Sequence, residues 1–95
     1  MSELLEALRA WLASHDVRRG ESLAVRWVDD PPLEVGARRR VRVRVQERRG
    51  DDDVLLELDD RSRASAGRII VRTVRAVRTA GTWVFEIVHE EIYEQ

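Results

Sequence analysis

A chain of 95 residues has room for one small domain with one core. Its net charge of −1 removes the global pull toward nucleic acid or an anionic membrane, although 37% of its residues are charged. With no Cys, disulfides and thiol chemistry are excluded.

All 17 basic residues are Arg, and Lys and Asn are both absent. That usage suits a GC-rich genome, and it equally suits a designed scaffold. No run is long enough to span a membrane. The start of the chain lacks the basic segment and apolar run of a signal peptide. The expectation is a single cytoplasmic domain over residues 1–95.

Residues 2–15 predict an amphipathic helix. Ser2 stands at the N-cap position, and Glu3 and Glu6 follow near the positive end of the dipole. Leu4, Leu5, Leu8, Trp11 and Leu12 recur at helical spacing and make one apolar stripe. His15 falls near the C-terminal end, where the dipole favours its charge. A helix this short is marginal in water, so it must dock on a sheet.

Residues 22–28 predict a strand, with Leu23, Val25 and Trp27 alternating against Ala24 and Arg26. Asp29, Asp30, Pro31 and Pro32 end it, because proline has no N–H for a ladder.

Residues 38–60 predict an antiparallel hairpin with a two-residue type II′ turn at Gly50 and Asp51. That register sets Arg49 opposite Asp52, Arg48 opposite Asp53, Arg44 opposite Glu57 and Arg42 opposite Asp59. It also sets Val45 opposite Leu56, Val43 opposite Leu58 and Arg40 opposite Arg61. A slip of one residue would put each Arg against a Leu. Val41, Val43, Val45, Val54, Leu56 and Leu58 then share a dry face and the charges share a wet one.

Residues 68–79 admit two readings. β-Branched residues favour a strand, closed by a turn at Ala80 and Gly81 onto a strand over 82–93. That register opposes Arg75 to Glu86, Val77 to Val84, Ala76 to Phe85 and Val74 to Ile87. The alternative is a second helix over 62–80, with Arg68, Arg72, Arg75 and Arg78 on one side and Gly81 as its C′ residue.

Sites for chemistry are sparse. His89 alternates with Trp83, Phe85 and Ile87, which makes it the one weak catalytic candidate, a general base in a pocket lined by that face. Asp29 and Asp30, then 51–53, then Asp59 and Asp60 invite calcium, but they lack an EF-hand spacing and several have Arg partners. The expectation is no metal and no cofactor. Ser62 and Ser65 have no nearby His or oxyanion glycines.

Seven Arg between 38 and 49 invite a phosphate backbone. Most have acidic partners, and no aromatics interleave for base stacking. Only Arg38, Arg39 and Arg40 fall outside the matched set, so they are the weak nucleic-acid candidates and nucleic acid is not the expected partner.

The stretch TVRAVRTAGTWVFEIVHEE, through Gly81, Trp83, Ile87, Val88 and His89, resembles the closing hairpin of the nuclear-transport-factor-2-like (SnoaL-like) superfamily. The resemblance implies a curved sheet wrapped on helices as a cone, with a small-molecule pocket and an isomerase- or dehydratase-like activity. The simpler cystatin-like plan, one helix on a curved antiparallel sheet, matches the single clear helix. In the two-helix reading, the element order resembles that of small phage tail-terminator and connector proteins, which implies a ring subunit.

The expected fold is α+β, an N-terminal helix packed on an antiparallel sheet of four or five strands. Trp11, Leu8, Leu12, Trp27, Val43, Val45, Leu56, Phe85 and Ile87 are its expected core. The expected function is a non-enzymatic assembly module. In the strand reading the final hairpin has two apolar faces, and one helix covers only one. That predicts a homo-oligomer, most simply a dimer, with Val77, Val84, Val88, Ile69 and Ile92 at the interface.

Overall fold

The computed structural model describes residues 2–16, 22–30, 39–62 and 68–94, with the side chains of residues 2, 15, 16, 61 and 62 excepted. Helix α1 is Ser2–Asp16, and the strands are β1 Leu23–Trp27, β2 Arg39–Arg48, β3 Asp53–Ser62, β4 Arg68–Thr79 and β5 Thr82–Glu94. The strands form one sheet in chain order, β1-β2-β3-β4-β5. Among the described residues this is an α+β architecture, a single helix on a five-stranded sheet. The helix expected as an alternative over 62–80 does not form: β4 is a strand of 12 residues. Its β-branched residues pack on a pleated surface, and pairing with β3 and β5 satisfies its backbone from both sides.

The sheet is mixed rather than wholly antiparallel, because β1 runs parallel to β2. Trp27 and Asp30 mark where β1 stops. The Asp30 N–H donates to the Trp27 carbonyl at 3.0 Å, and the Trp27 N–H donates to Asp30 Oδ2 at 3.2 Å. This turn uses the last backbone groups of β1 locally. Arg39 pairs with Leu23, so β2 starts beside the start of β1, as parallel pairing requires.

The β2–β3 hairpin keeps its expected register in the middle: Arg42 faces Asp59, Val43 faces Leu58, Arg44 faces Glu57 and Val45 faces Leu56. Its tip differs. The Arg49 N–H donates to the Asp53 carbonyl at 2.9 Å, so three residues, 50 to 52, form the loop rather than two. Gly50 does not adopt the positive φ that a type II′ turn would need. A bulge at Gln46 absorbs the extra residue, so Glu47 faces Leu55 and Arg48 faces Val54. The bulge keeps Val41, Val43 and Val45 on the same face as Val54, Leu56 and Leu58. It also breaks the expected Arg49–Asp52 and Arg48–Asp53 pairs.

The β4–β5 hairpin has the expected two-residue turn. Ala80 (φ 52°) and Gly81 (φ 79°) are both left-handed, as a type I′ turn requires. Arg75 faces Glu86, Val77 faces Val84, Ala76 faces Phe85 and Val74 faces Ile87, all as the sequence predicts. Beyond Val74 the register shifts, with Thr73 facing His89, so Val88 is the extra residue of a second bulge.

Helix α1 lies across one face of the sheet. Leu4, Leu8 and Leu12 are buried on Val25, Val41, Val43, Val54, Leu56, Leu58, Val74 and Ala76. Trp11, Trp27, Val45 and Phe85 flank this core half-buried, and the Trp11 and Phe85 rings sit 5.4 Å apart. Ile87 departs from expectation. It shares the helix-side face, but it lies on the edge strand and is 46% exposed.

Leu8 is fully buried at the centre of the stripe. Leu8→Ala is expected to cost about 2–5 kcal/mol by opening a cavity under the helix. A urea titration reads this as a lower midpoint with an unchanged slope.

Candidate functional site

Two groups of polar side chains and one apolar surface stand out. The first group crosses the helix-side face at the border of the core. Arg39 on β2 holds Asp60 on β3 in a bidentate fork, with Arg39 Nε donating to Asp60 Oδ1 at 3.1 Å and Nη2 donating to Oδ2. Arg72 on β4 donates from Nη1 to the same Oδ2 at 3.1 Å, and from Nε to Glu90 Oε2 on β5 at 2.9 Å. One ionic ladder thus links four adjacent strands. Arg39 and Asp60 are both nearly inaccessible to water, which is sustainable only because the fork matches guanidinium to carboxylate.

This placement corrects one nucleic-acid candidate. Arg39 is buried and committed to Asp60, so it does not present its guanidinium to a phosphate. Arg40 is exposed on the opposite face, at the register position facing Arg61. Arg38 lies outside the described residues. The sequence pattern missed the Arg39–Asp60 pair because these residues are diagonal rather than directly opposed. The hairpin register offers Arg39 only Ser62, and Asp60 only Val41.

The second group ties the β2–β3 loop to β4. Asp53 accepts from Arg75 Nε and Nη2 at 3.2 and 2.9 Å. Asp52 accepts from Arg78 Nε at 2.7 Å, and its carbonyl accepts from the Arg78 N–H at 2.8 Å. The acids assigned to Arg48 and Arg49 from sequence therefore serve the next strand. Among the described residues, no three His, Asp or Glu side chains come together as a metal site.

His89 is not where strand alternation puts it. The bulge at Val88 turns it to the face opposite Trp83, Phe85 and Ile87, across from Thr73. It is exposed there, with Nε2 3.0 Å from Glu91 Oε1, while the Tyr93 hydroxyl donates to Glu91 Oε2. The Tyr93 hydrogen bond, then that of His89, holds the Glu91 carboxyl below its ordinary value, and Glu91 raises Tyr93 in return. This solvated row of three side chains encloses no apolar cavity in which a general base would act. His15 lies in α1, with its side chain outside the described residues.

The apolar surface lies on and around β5. Val84 (57%), Val88 (49%), Ile92 (55%) and Tyr93 (51%) join Ile87 as exposed large side chains of one strand. Val77 faces Val84, and Ile69 faces Tyr93, on the side away from the helix. Ile92 is again displaced by the bulge: it faces Ile70 on the helix side instead of sharing the outer face with Val84. Among the described residues β5 pairs with β4 alone, so its other edge is open.

No protein-family model, curated protein or solved structure matches this chain.

Two measurements probe the charged groups. Asp60→Ala removes the bidentate partner of the buried Arg39 guanidinium and is expected to cost about 3–5 kcal/mol in denaturant unfolding, far more than loss of the exposed Arg44–Glu57 pair. The hydrogen bond from Arg75, aided by its charge, lowers the Asp53 carboxyl below 3.8. A depressed folded value stabilises the fold above the unfolded pKa, and that contribution is lost as pH falls through the folded value. Carbon-detected NMR titration is expected to give Asp53 a midpoint below 3.8, and Arg75→Gln is expected to move it upward.

Proposed function

We propose that this chain is a cytoplasmic, non-enzymatic assembly module that works as a homo-oligomer, most simply a dimer. The observation that carries this reading is the set of large apolar side chains that β5 leaves exposed: Val84 and Tyr93 on one face, Ile87 and Ile92 on the other, and Val88 at the bulge. Among the described residues, α1 is the only helix, and it leaves these side chains uncovered on both faces. Large apolar side chains left exposed together on one edge strand of a small protein mark an interaction site. A second copy is the simplest occupant, because a two-fold contact needs only one surface that matches itself.

The Arg residues of β2 support the same reading by their partners. Arg44 donates to Glu57 at 3.0 Å, and Arg42 stands opposite Asp59 in the ladder. Opposed charges of this kind set register and keep the face hydrated. The exposed position of His89 supplies no observation in favour of a pocket enzyme.

Light scattering at high micromolar concentration is expected to give at least twice the 11.0 kDa chain mass. Val84→Asp is expected to lower that mass to the monomer while leaving the far-ultraviolet circular dichroism unchanged. A native chain that stays monomeric throughout refutes the reading.

A further inference from the structure

We propose that a second copy of this chain docks by strand addition at the open edge of β5, pairing residues 82–86 antiparallel with themselves about a two-fold axis at Val84. The inference rests on the self-association reading above and specifies its geometry: two five-stranded sheets joined into one.

The backbone shows which groups the edge offers. A two-residue type I′ turn closes Thr79 and Thr82 as a hydrogen-bonded pair. Antiparallel pairs alternate, so Val77–Val84 and Arg75–Glu86 are hydrogen-bonded pairs as well. Thr82, Val84 and Glu86 therefore commit their N–H and C=O groups to β4. Trp83, Phe85 and Ile87 turn theirs to the open edge.

The same strand limits where a partner can pair. The bulge at Val88 breaks the edge, and Glu90, Glu91 and Glu94 follow it. Bulges and charges are the devices that keep edges from pairing. Residues 82–87 carry neither, apart from Glu86, and have no Pro.

The register follows from the side chains. A two-fold axis normal to the sheet passes through a residue, since opposed residues share a face. At Glu86 it would oppose two carboxylates directly. At Phe85 it would set Val84 against Glu86 and leave the two Glu86 side chains as diagonal neighbours, roughly 7–8 Å apart. At Val84 it matches Val84 with Val84, Trp83 with Phe85 twice, and Thr82 with Glu86 twice, with the two carboxylates far apart. Trp83 and Phe85 are the edge-facing residues, so these two pairs exchange main-chain bonds. Val84 takes the central non-hydrogen-bonded position, where side chains approach most closely.

The aromatic residues support this axis independently. Phe85 is half-buried against Trp11, and Trp83 is half-buried under the Arg78 guanidinium, 5.4 Å from the ring centroid. Pairing at Val84 brings the partner's Trp83 beside Phe85 on the helix side. The Trp11–Phe85 contact then extends across the junction, which covers the exposed remainder of both rings.

Amide hydrogen exchange on the native chain, followed against concentration alongside light scattering, is the test. The Trp83 and Phe85 amides are expected to exchange at least tenfold more slowly in the dimer than in the dilute monomer, whereas Thr82 and Val84 change little. Since the chain has no Cys, Val84→Cys under mild oxidation is expected to give a disulfide-linked dimer, and Val77→Cys is not. A dimer that leaves Trp83 and Phe85 unprotected, or that cross-links through Val77→Cys instead, overturns edge pairing while the homo-oligomer reading stands. A monomer mass at every concentration overturns both. A monomer whose Trp83 and Phe85 amides slow only with an added foreign strand-forming peptide assigns the edge to another chain and also overturns the proposal.

Discussion

The structure depends on a mismatch of coverage: one helix of 15 residues must bury one face of a five-stranded sheet. At 1.5 Å per residue the helix is about 22 Å long. Five strands at about 4.8 Å spacing are about 19 Å wide. The helix approaches both edge strands, β1 and β5, so it crosses the sheet rather than lying along one strand. Leu4, Leu8 and Leu12 join the buried residues of β1 to β4, where Val25, Val43, Leu56, Leu58 and Val74 are sealed. The long strands run on beyond this cover, and what lies there had to be charged, exposed or paired with something else.

The charged solution is the ladder through Arg39, Asp60, Arg72 and Glu90. It starts beside Val41 and Leu58 and ends in solvent at Glu90, so its desolvation falls gradually from β2 to β5. A buried pair of this kind is weak evidence for net stability, because desolvation offsets most of the attraction. Its stronger effect is on specificity. Slipping β3 against β4 by one residue would separate Asp60 from Arg72, and slipping β2 would separate Arg39 from Asp60. At the other end of the sheet, Asp52 and Asp53 perform the same service for β3 and β4 through Arg78 and Arg75.

The two bulges have opposite consequences. The one at Gln46 preserves a pattern, since it corrects for the longer loop and keeps the apolar face of β2 intact. The one at Val88 reverses a pattern. Before it, Trp83, Phe85 and Ile87 face the helix; after it, Glu90 and Ile92 do. This reversal puts Glu90 in reach of Arg72 and places His89 in water. It also divides β5 into an apolar half with a regular edge and an acidic half with a broken one. The candidate interface inherits that division.

What the sequence determined by itself was local and periodic. The helix stripe, the mid-strand register of the first hairpin and the Ala80–Gly81 turn all follow from spacing, charge and turn chemistry among near neighbours. The β-branched content of residues 68–79 pointed to strand, but it left a helix open, because Arg spaced at three and four residues reads equally as one helical side. Only the neighbouring strands decided that question, by offering the backbone of β4 two ladders at once. Tertiary structure also decided the parallel course of β1, which depends on where a connection returns rather than on any strand's composition. It decided the partners of Asp52, Asp53, Asp60 and Arg39, which are diagonal or contributed by the next strand. Alternation along one strand carries no signal for a bulge, so the faces of His89 and Ile92 were decided by the pairing of β4 with β5.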